Sequence, residues 1–316
     1  MTTTNAVRKS SGALRRKIAR RRWRLYVMLL IPVAYIIIFK YIPMYGIIIA
    51  FKNYTVRKGI WGSDWVGLQQ FQKFFTSYYF GRVIRNTLTL SLYSLLVGFP
   101  LPIILALLMN ASPFPRFRSA VENITYMPHF ISVVVMVGMI MNFFNTRSGV
   151  YGSLYSLLTG GKTAPDLLAS PSAFSHLYVW TGIWQGLGWG TIIYIAALAA
   201  VDATLHEAAT VDGATRLQRV IHIDIPCILP TIMIRLILAS GAIMAIGFDK
   251  VYLMQNNLNI EASEVISTYT YKAAFGTSNS NYSYSTAIGL FNSLVNGGML
   301  VLVNLLAGKL SETSLW

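Results

Sequence analysis

Six stretches of about twenty residues or more, nearly free of charge and rich in large apolar side chains, constrain this chain more than any other feature. The first begins at Leu25 and resumes beyond Lys40 to Phe51; the others are 86–110, 124–144, 177–201, 228–248 and 286–308. A bilayer core of about 30 Å takes ~20 helical residues to cross. Hydrocarbon offers peptide groups no partner, so such runs close their backbone hydrogen bonds within themselves, as helices. The expectation is an all-α polytopic membrane protein with six transmembrane helices and both termini on one side. Composition agrees, since only 12% of the 316 residues are charged, against about 25% in soluble domains. A single cysteine, Cys227, excludes a disulfide framework and a cysteine-rich metal site within the chain.

Charge sets the expected orientation. Of the net +15, nine cations (Arg8, Lys9, Arg15, Arg16, Lys17, Arg20, Arg21, Arg22 and Arg24) precede the first span with no acid among them. A basic cluster abutting an apolar helix marks a cytoplasmic flank beside anionic lipid rather than a nucleic-acid site. The apolar run exceeds the roughly 7–15 residues of a cleaved signal and lacks a small-residue cleavage site. Both termini are therefore expected inside, with 111–123 and 202–227. Segments 52–85, 145–176 and 249–285 are expected outside. Lys52, Arg57, Lys58, Lys73, Arg82 and Arg85 in the first outer segment oppose this bias, with Asp64 among them. The divisions expected are a basic cytoplasmic tail at 1–24, a first helix with its outer loop at 25–85, a five-helix core at 86–308 and a cytoplasmic tail at 309–316.

Catalytic patterns are broken. Gly161-Lys162-Thr163 lacks the glycine a phosphate loop needs at position 156, and His206-Glu207 lacks a second histidine at position 210. The chain carries no defensible enzyme site, so energy for any uphill process must come from another subunit or an ion gradient. Gly182, Gly186 and Gly190 recur every fourth residue, as do Ser293 and Gly297, a spacing that lets membrane helices approach closely. Arg235 and Lys40 are placed to snorkel toward headgroups.

The connection at 202–227 is no plain linker. Glu207-Ala208-Ala209 is followed by Asp212-Gly213, then Gln218-Arg219, then Ile223-Asp224-Ile225-Pro226. Gly213 permits a left-handed residue, so a short helix can stop there. Pro226 and Pro230 are expected to set the approach to the fifth span. Two readings stay open: a short helix offering Glu207 and small alanines to a partner protein, or a capped amphipathic loop on lipid headgroups.

This stretch resembles the EAA motif of binding-protein-dependent ABC importer permeases. Glu-Ala-Ala, three residues, Gly, nine residues, Ile, one residue and Pro at the end all fall in register; Ile225 stands where leucine is usual. Pro43-Met44-Tyr45-Gly46, Ala50-Phe51-Lys52-Asn53-Tyr54, Trp65-Val66-Gly67-Leu68 and 248–256 are similar to one carbohydrate-importer branch, which includes permeases for pectin-derived oligosaccharides and alginate. The resemblance implies a type I ABC importer permease of the bacterial cytoplasmic membrane. It implies a cytoplasmic coupling helix, with Glu207, Ala208, Ala209, Asp212, Gly213, Ile223 and Pro226 meeting an ABC ATPase subunit. It also implies a second, different permease, an extracytoplasmic solute-binding protein and an oligosaccharide substrate. No cofactor is expected in this chain; ATP and Mg belong to the partner ATPase.

Asn142, Trp184, Gln185, Trp189, Asn292 and Asn296 are candidates for the substrate path, because buried polar groups in a bilayer line cavities or join helices. Helix packing is the competing reading for each. The tyrosine-rich segment 249–285 is read either as a contact for the binding protein or as a solvated connection. The cations at 52–85 suit an acidic saccharide or lipid phosphates. A secondary transporter for a polar solute is the alternative; it calls for an intramembrane acid, and only Asp249 at a span boundary offers one.

Overall fold

The computed structural model describes residues 22–276 and 280–311. The basic head before Arg22 and the tail after Ser311 lie outside the described residues. Helix α1 (Trp23–Phe51) leads to a two-residue ribbon, β1 (Lys52–Asn53) antiparallel to β2 (Asp64–Trp65) with Lys52 opposite Trp65. Then follow α2 (Gln69–Phe75), α3 (Phe80–Ala111), α4 (Pro115–Phe130), α5 (Val133–Phe143) and α6 (Val150–Leu158). The chain continues through α7 (Pro171–Ala199), α8 (Ala203–Val211), α9 (Arg216–Ser240), α10 (Phe248–Met254), α11 (Ile266–Phe275) and α12 (Tyr282–Ser311).

Among the described residues, five helices (α1, α3, α7, α9 and α12) are each long and apolar enough to cross a bilayer alone. The expected third span, 124–144, is instead a broken pair. Helices α4 and α5 meet at 100°. Pro128 lies in a tightened turn at the end of α4, and Ser132 opens α5 by accepting the Val135 N–H at 3.3 Å. Proline removes a donor and clashes with the preceding turn, while a serine cap satisfies the new helix start.

The expected fifth span, 228–248, is displaced. Helix α9 starts at Arg216 and stops at Ser240, and 241–247 is unwound. Pro226 stands in the first α-helical turn after a wide π turn at Val220–Asp224, as expected of an entry proline, whereas Pro230 lies inside the helix. The same pairing occurs in α1, where the π turn Ile37–Tyr41 precedes Pro43. A π turn shifts the bonding register just where proline lacks an N–H.

The unwound stretch is the centre of the core. Ile246 packs with Leu90, Met136, Phe174, Val251 and Val265, joining α3, α5, α7 and α10. Ile243 and Met244 pack with Phe74, Val83, Ile266 and Ile288, joining α2, α3, α11 and α12. A third cluster, Ala106, Leu107, Tyr194, Leu198 and Ile228, ties α3 to α7 and α9 at the opposite end. Segment 249–285 is thus no solvated connection: Val251, Val265 and Ile266 are buried beside Lys250, Glu264 and Thr268.

No residue of Trp23–Met44 is buried, and only the last turns of α1 pack on α12 and α2. The glycine stripe of α7 divides by neighbour. A Cβ on Gly188 would overlap the Thr125 carbonyl of α4, whereas one on Gly186 meets nothing within 4 Å. Gly188→Ala is accordingly expected to lower stability by roughly 1–3 kcal/mol through overpacking, and Gly186→Ala to leave it unchanged. Thermal unfolding of the two purified variants in detergent checks the difference; equal melting temperatures contradict it.

Candidate functional site

Helix α8 is built to stand between two spans. Asp202 caps it by accepting the Thr204 N–H at 2.9 Å, and that bond holds the Asp202 carboxyl below the usual carboxylate range. At the other end Ala214 N–H donates to Ala209 O at 2.8 Å and Gly213 N–H to Thr210 O at 3.1 Å. This six-to-one, five-to-two pattern needs a left-handed residue at its turn, and Gly213 supplies it with φ +78°. Thr215 then opens α9 with a capping box: its hydroxyl accepts the Gln218 N–H at 3.3 Å, and Gln218 Oε1 accepts the Thr215 N–H at 2.7 Å.

Side chains fasten α8 to the spans. His206 Nε2 lies 3.3 Å from Oδ1 of Asp224, a buried carboxylate at the end of the π turn in α9. Asn110 at the end of α3 donates to the same oxygen at 3.4 Å. Arg219 donates to the Thr210 hydroxyl at 2.9 Å, and Thr210 donates in turn to His206 O at 2.6 Å. Glu207, Ala208, Val211 and Asp212 remain exposed, Ala209 and Ile223 are half-buried, and Pro226 is exposed. The arrangement offers an outward face of Glu207, Ala208 and Val211 on a helix braced from behind. Sequence reasoning set His206 aside as half of a metal motif and gave Asp224 no role. The signal was there: an acid between Ile223 and Ile225 on a span needs a partner.

The six polar candidates within the spans are mostly engaged with the protein itself. Gln185 Nε2 donates to Ile131 O at 2.8 Å, satisfying the carbonyl at the break between α4 and α5. Asn296 Oδ1 accepts the Met244 N–H of the unwound stretch at 2.8 Å. Asn142 donates to Gly138 O of its own helix at 3.1 Å. Trp189 stacks on His129 at 4.3 Å with planes 4° apart, and Trp184 is half exposed. Asn292 Oδ1 is buried without a hydrogen-bond partner among the described residues.

The space between α3, α7, α9 and the unwound stretch is lined differently. Two cavities of about 330 and 340 Å³ share Ser94, Tyr178 and Arg235. The first extends along 242–247, the second along Gly182, Gly186 and Lys250. Lys250 on α10 is 8% exposed; it donates to Tyr178 O at 2.6 Å and lies 4.7 Å from the centre of the Tyr178 ring. Burial pushes its ammonium group down to about 8. Arg235, expected to snorkel from near the boundary, is exposed and lines this space from α9. Its guanidinium lies beside the Tyr194 side chain.

A larger cavity of about 650 Å³, lined by Arg82, Arg85, Asn86 and Ser172 among others, opens where α3 and α7 begin. The cations of 52–85 are less free than the sequence suggested. Arg82 pairs with Glu264 and Lys58 with Asp64 at 3.1 Å; Lys52 donates to Ile60 O, and Lys73 lies over the Tyr284 ring. Lys272 reaches the same Glu264 at 3.6 Å.

Residues 98–312 match the family model of the binding-protein-dependent transport system inner membrane component. The chain is 41% identical to protein LplB of Bacillus subtilis over 94% of this chain and 92% of that protein. It is 40% identical to the polygalacturonan/rhamnogalacturonan transport system permease protein YteP of the same organism, over 92% and 90%. Among solved structures, a bacterial ABC transporter involved in import of the acidic polysaccharide alginate aligns with a TM-score of 0.84 and 37% identity, covering 93% of this chain and 98% of that one. The alginate transporter in complex with alginate pentasaccharide-bound periplasmic protein gives 0.85 and 37%, covering 95% and 99%.

The bracing of α8 is open to measurement. Thr215→Ala is expected to cost about 1 kcal/mol by loss of the cap, and Asp224→Ala about 1–3 kcal/mol by stranding the amide and imidazole it accepts from. Both should speed proteolytic cleavage within 202–219. Cleavage at the wild-type rate in Asp224→Ala would show that the brace carries nothing.

Proposed function

Because the chain belongs to the family of binding-protein-dependent transport system inner membrane components, we propose that it forms, with a second permease, the path of an ATP-driven oligosaccharide importer. An extracytoplasmic binding protein delivers the sugar to the outer face, and ABC ATPase subunits holding ATP and Mg dock beneath α8. Both termini lie in the cytoplasm on this reading, and 52–85, 145–176 and 249–275 face outward. The observation that carries it is the exposed Glu207–Val211 face on a helix fastened from behind to two spans. A helix that only rested on headgroups would need no such brace.

The mechanical sequence follows from that geometry. Closure of the ATPases on ATP displaces α8. The His206–Asp224–Asn110 contact passes the displacement to α9 and α3, and the Arg219–Thr210 bond keeps α8 from rotating separately. The unwound stretch 241–247 lies beyond α9 and between the two outer core clusters, so motion of α9 reaches the cavity walls through Ile243, Met244 and Ile246. Transport is alternating exposure of that cavity, with the chemistry of hydrolysis performed by another subunit.

Two substitutions test the coupling. Glu207→Lys reverses the charge of the exposed face, and Gly213→Pro forbids φ +78° because proline is held near −65°. Each is expected to abolish ATP-dependent uptake while the protein remains in the membrane at normal levels. Uptake at the wild-type rate by either overturns the coupling role. Thr204→Cys in a Cys227→Ser background reports sidedness: labelling by an impermeant maleimide in intact cells would place α8 outside and end the reading.

A further inference from the structure

The two cavities between α3, α7 and α9 carry an electrostatic imbalance. Arg235 and Lys250 both line the space, and no acid lines it with them. Among the described residues neither cation forms an ion pair with a carboxylate. Their partners are neutral: the Tyr194 side chain for Arg235, and the Tyr178 carbonyl and ring for Lys250. Asp249, next to Lys250 in sequence, is exposed and pairs with neither. A charge lining a partly apolar space without a counter-ion is costly. Two of them facing one space without a counter-ion are the complement of an anion.

Small and hydroxyl-bearing residues stand among an otherwise apolar lining. Ser91 and Ser94 offer hydroxyls, and Tyr178 lies between the two cavities. Gly182 and Gly186 leave the α7 wall bare, where larger side chains would fill the space. Each cavity falls in the range of about 300–1,000 Å³ typical of small-molecule sites. Resting on the importer reading above, we propose that Arg235 and Lys250 bind the carboxylate of an acidic saccharide during its passage and thereby set the charge selectivity of the path. Binding supplies the counter-ion the cavity lacks, so an anionic sugar is held where a neutral one of the same shape is not.

The test uses the complete importer with its binding protein and ATPase in proteoliposomes. Uptake of tetragalacturonate is compared with that of its methyl ester, which keeps the sugar backbone and removes the charge; the tetramannuronate pair serves if neither is carried. Since the binding protein is constant, a change in the acid-to-ester uptake ratio reports on the permease. Arg235→Met and Lys250→Met are each expected to lower that ratio at least tenfold, and Arg235→Lys, which keeps the charge, to restore most of it. A purely structural role would lower both uptakes together and leave the ratio unmoved, which overturns the proposal. So does an importer that carries only neutral saccharides. Failure of the importer reading looks different: no ATP-dependent uptake of any saccharide and no stimulation of hydrolysis by loaded binding protein.

Discussion

Inside a bilayer a peptide group without a protein partner costs several kcal/mol, and among the described residues the apolar stretches are broken at 131–132 and at 241–247. Both breaks survive because another helix answers them. Gln185 of α7 donates to the Ile131 carbonyl between α4 and α5, and Asn296 of α12 accepts the Met244 N–H where α9 has ended. The fold is organised around these two repairs. The second is the more consequential, since the freed stretch 241–247 sends apolar side chains into both outer core clusters and forms one wall of the cavity.

Apolar length gave the helical membrane architecture plainly, because ~20 residues without charge admit few other folds. Where the breaks fall was not legible in the same way. Residues 241–248 are as apolar as the helix before them, and hydropathy does not distinguish a buried unwound strand from a lipid-facing turn. The information resides in Asn296, over forty residues away in sequence, and in the close seat of Gly241 against Leu300. Pro128 and Ser132 lie at the other break, but neighbouring helices often tolerate a proline within a span, so its presence does not by itself divide one.

The α8 segment was legible for another reason. Its motif is written in residues whose local physics is visible: Gly213 is the left-handed turn of a helix terminus, and Ala209 supplies the carbonyl that closes it. Its exposed half, Glu207 and Ala208, has no such internal explanation, and its proposed role rests on the resemblance alone. The cavity was the least legible part. Arg235 reads in sequence as a snorkelling cation, and the buried state of Lys250 appears only once α10 folds back beneath Tyr178. Their meeting joins residues fifteen apart across a helix end, a relation that no periodicity encodes.

The π turn of α9 carries a mechanical consequence. It spans Val220–Asp224, ends on the carboxylate that holds His206 and is followed at once by Pro226. Under the proposed coupling, force would enter α9 at a widened turn rather than along a regular helix. A short stroke at α8 would then flex a joint instead of driving a rigid rod lengthwise, and become an angular sweep of the distal helix.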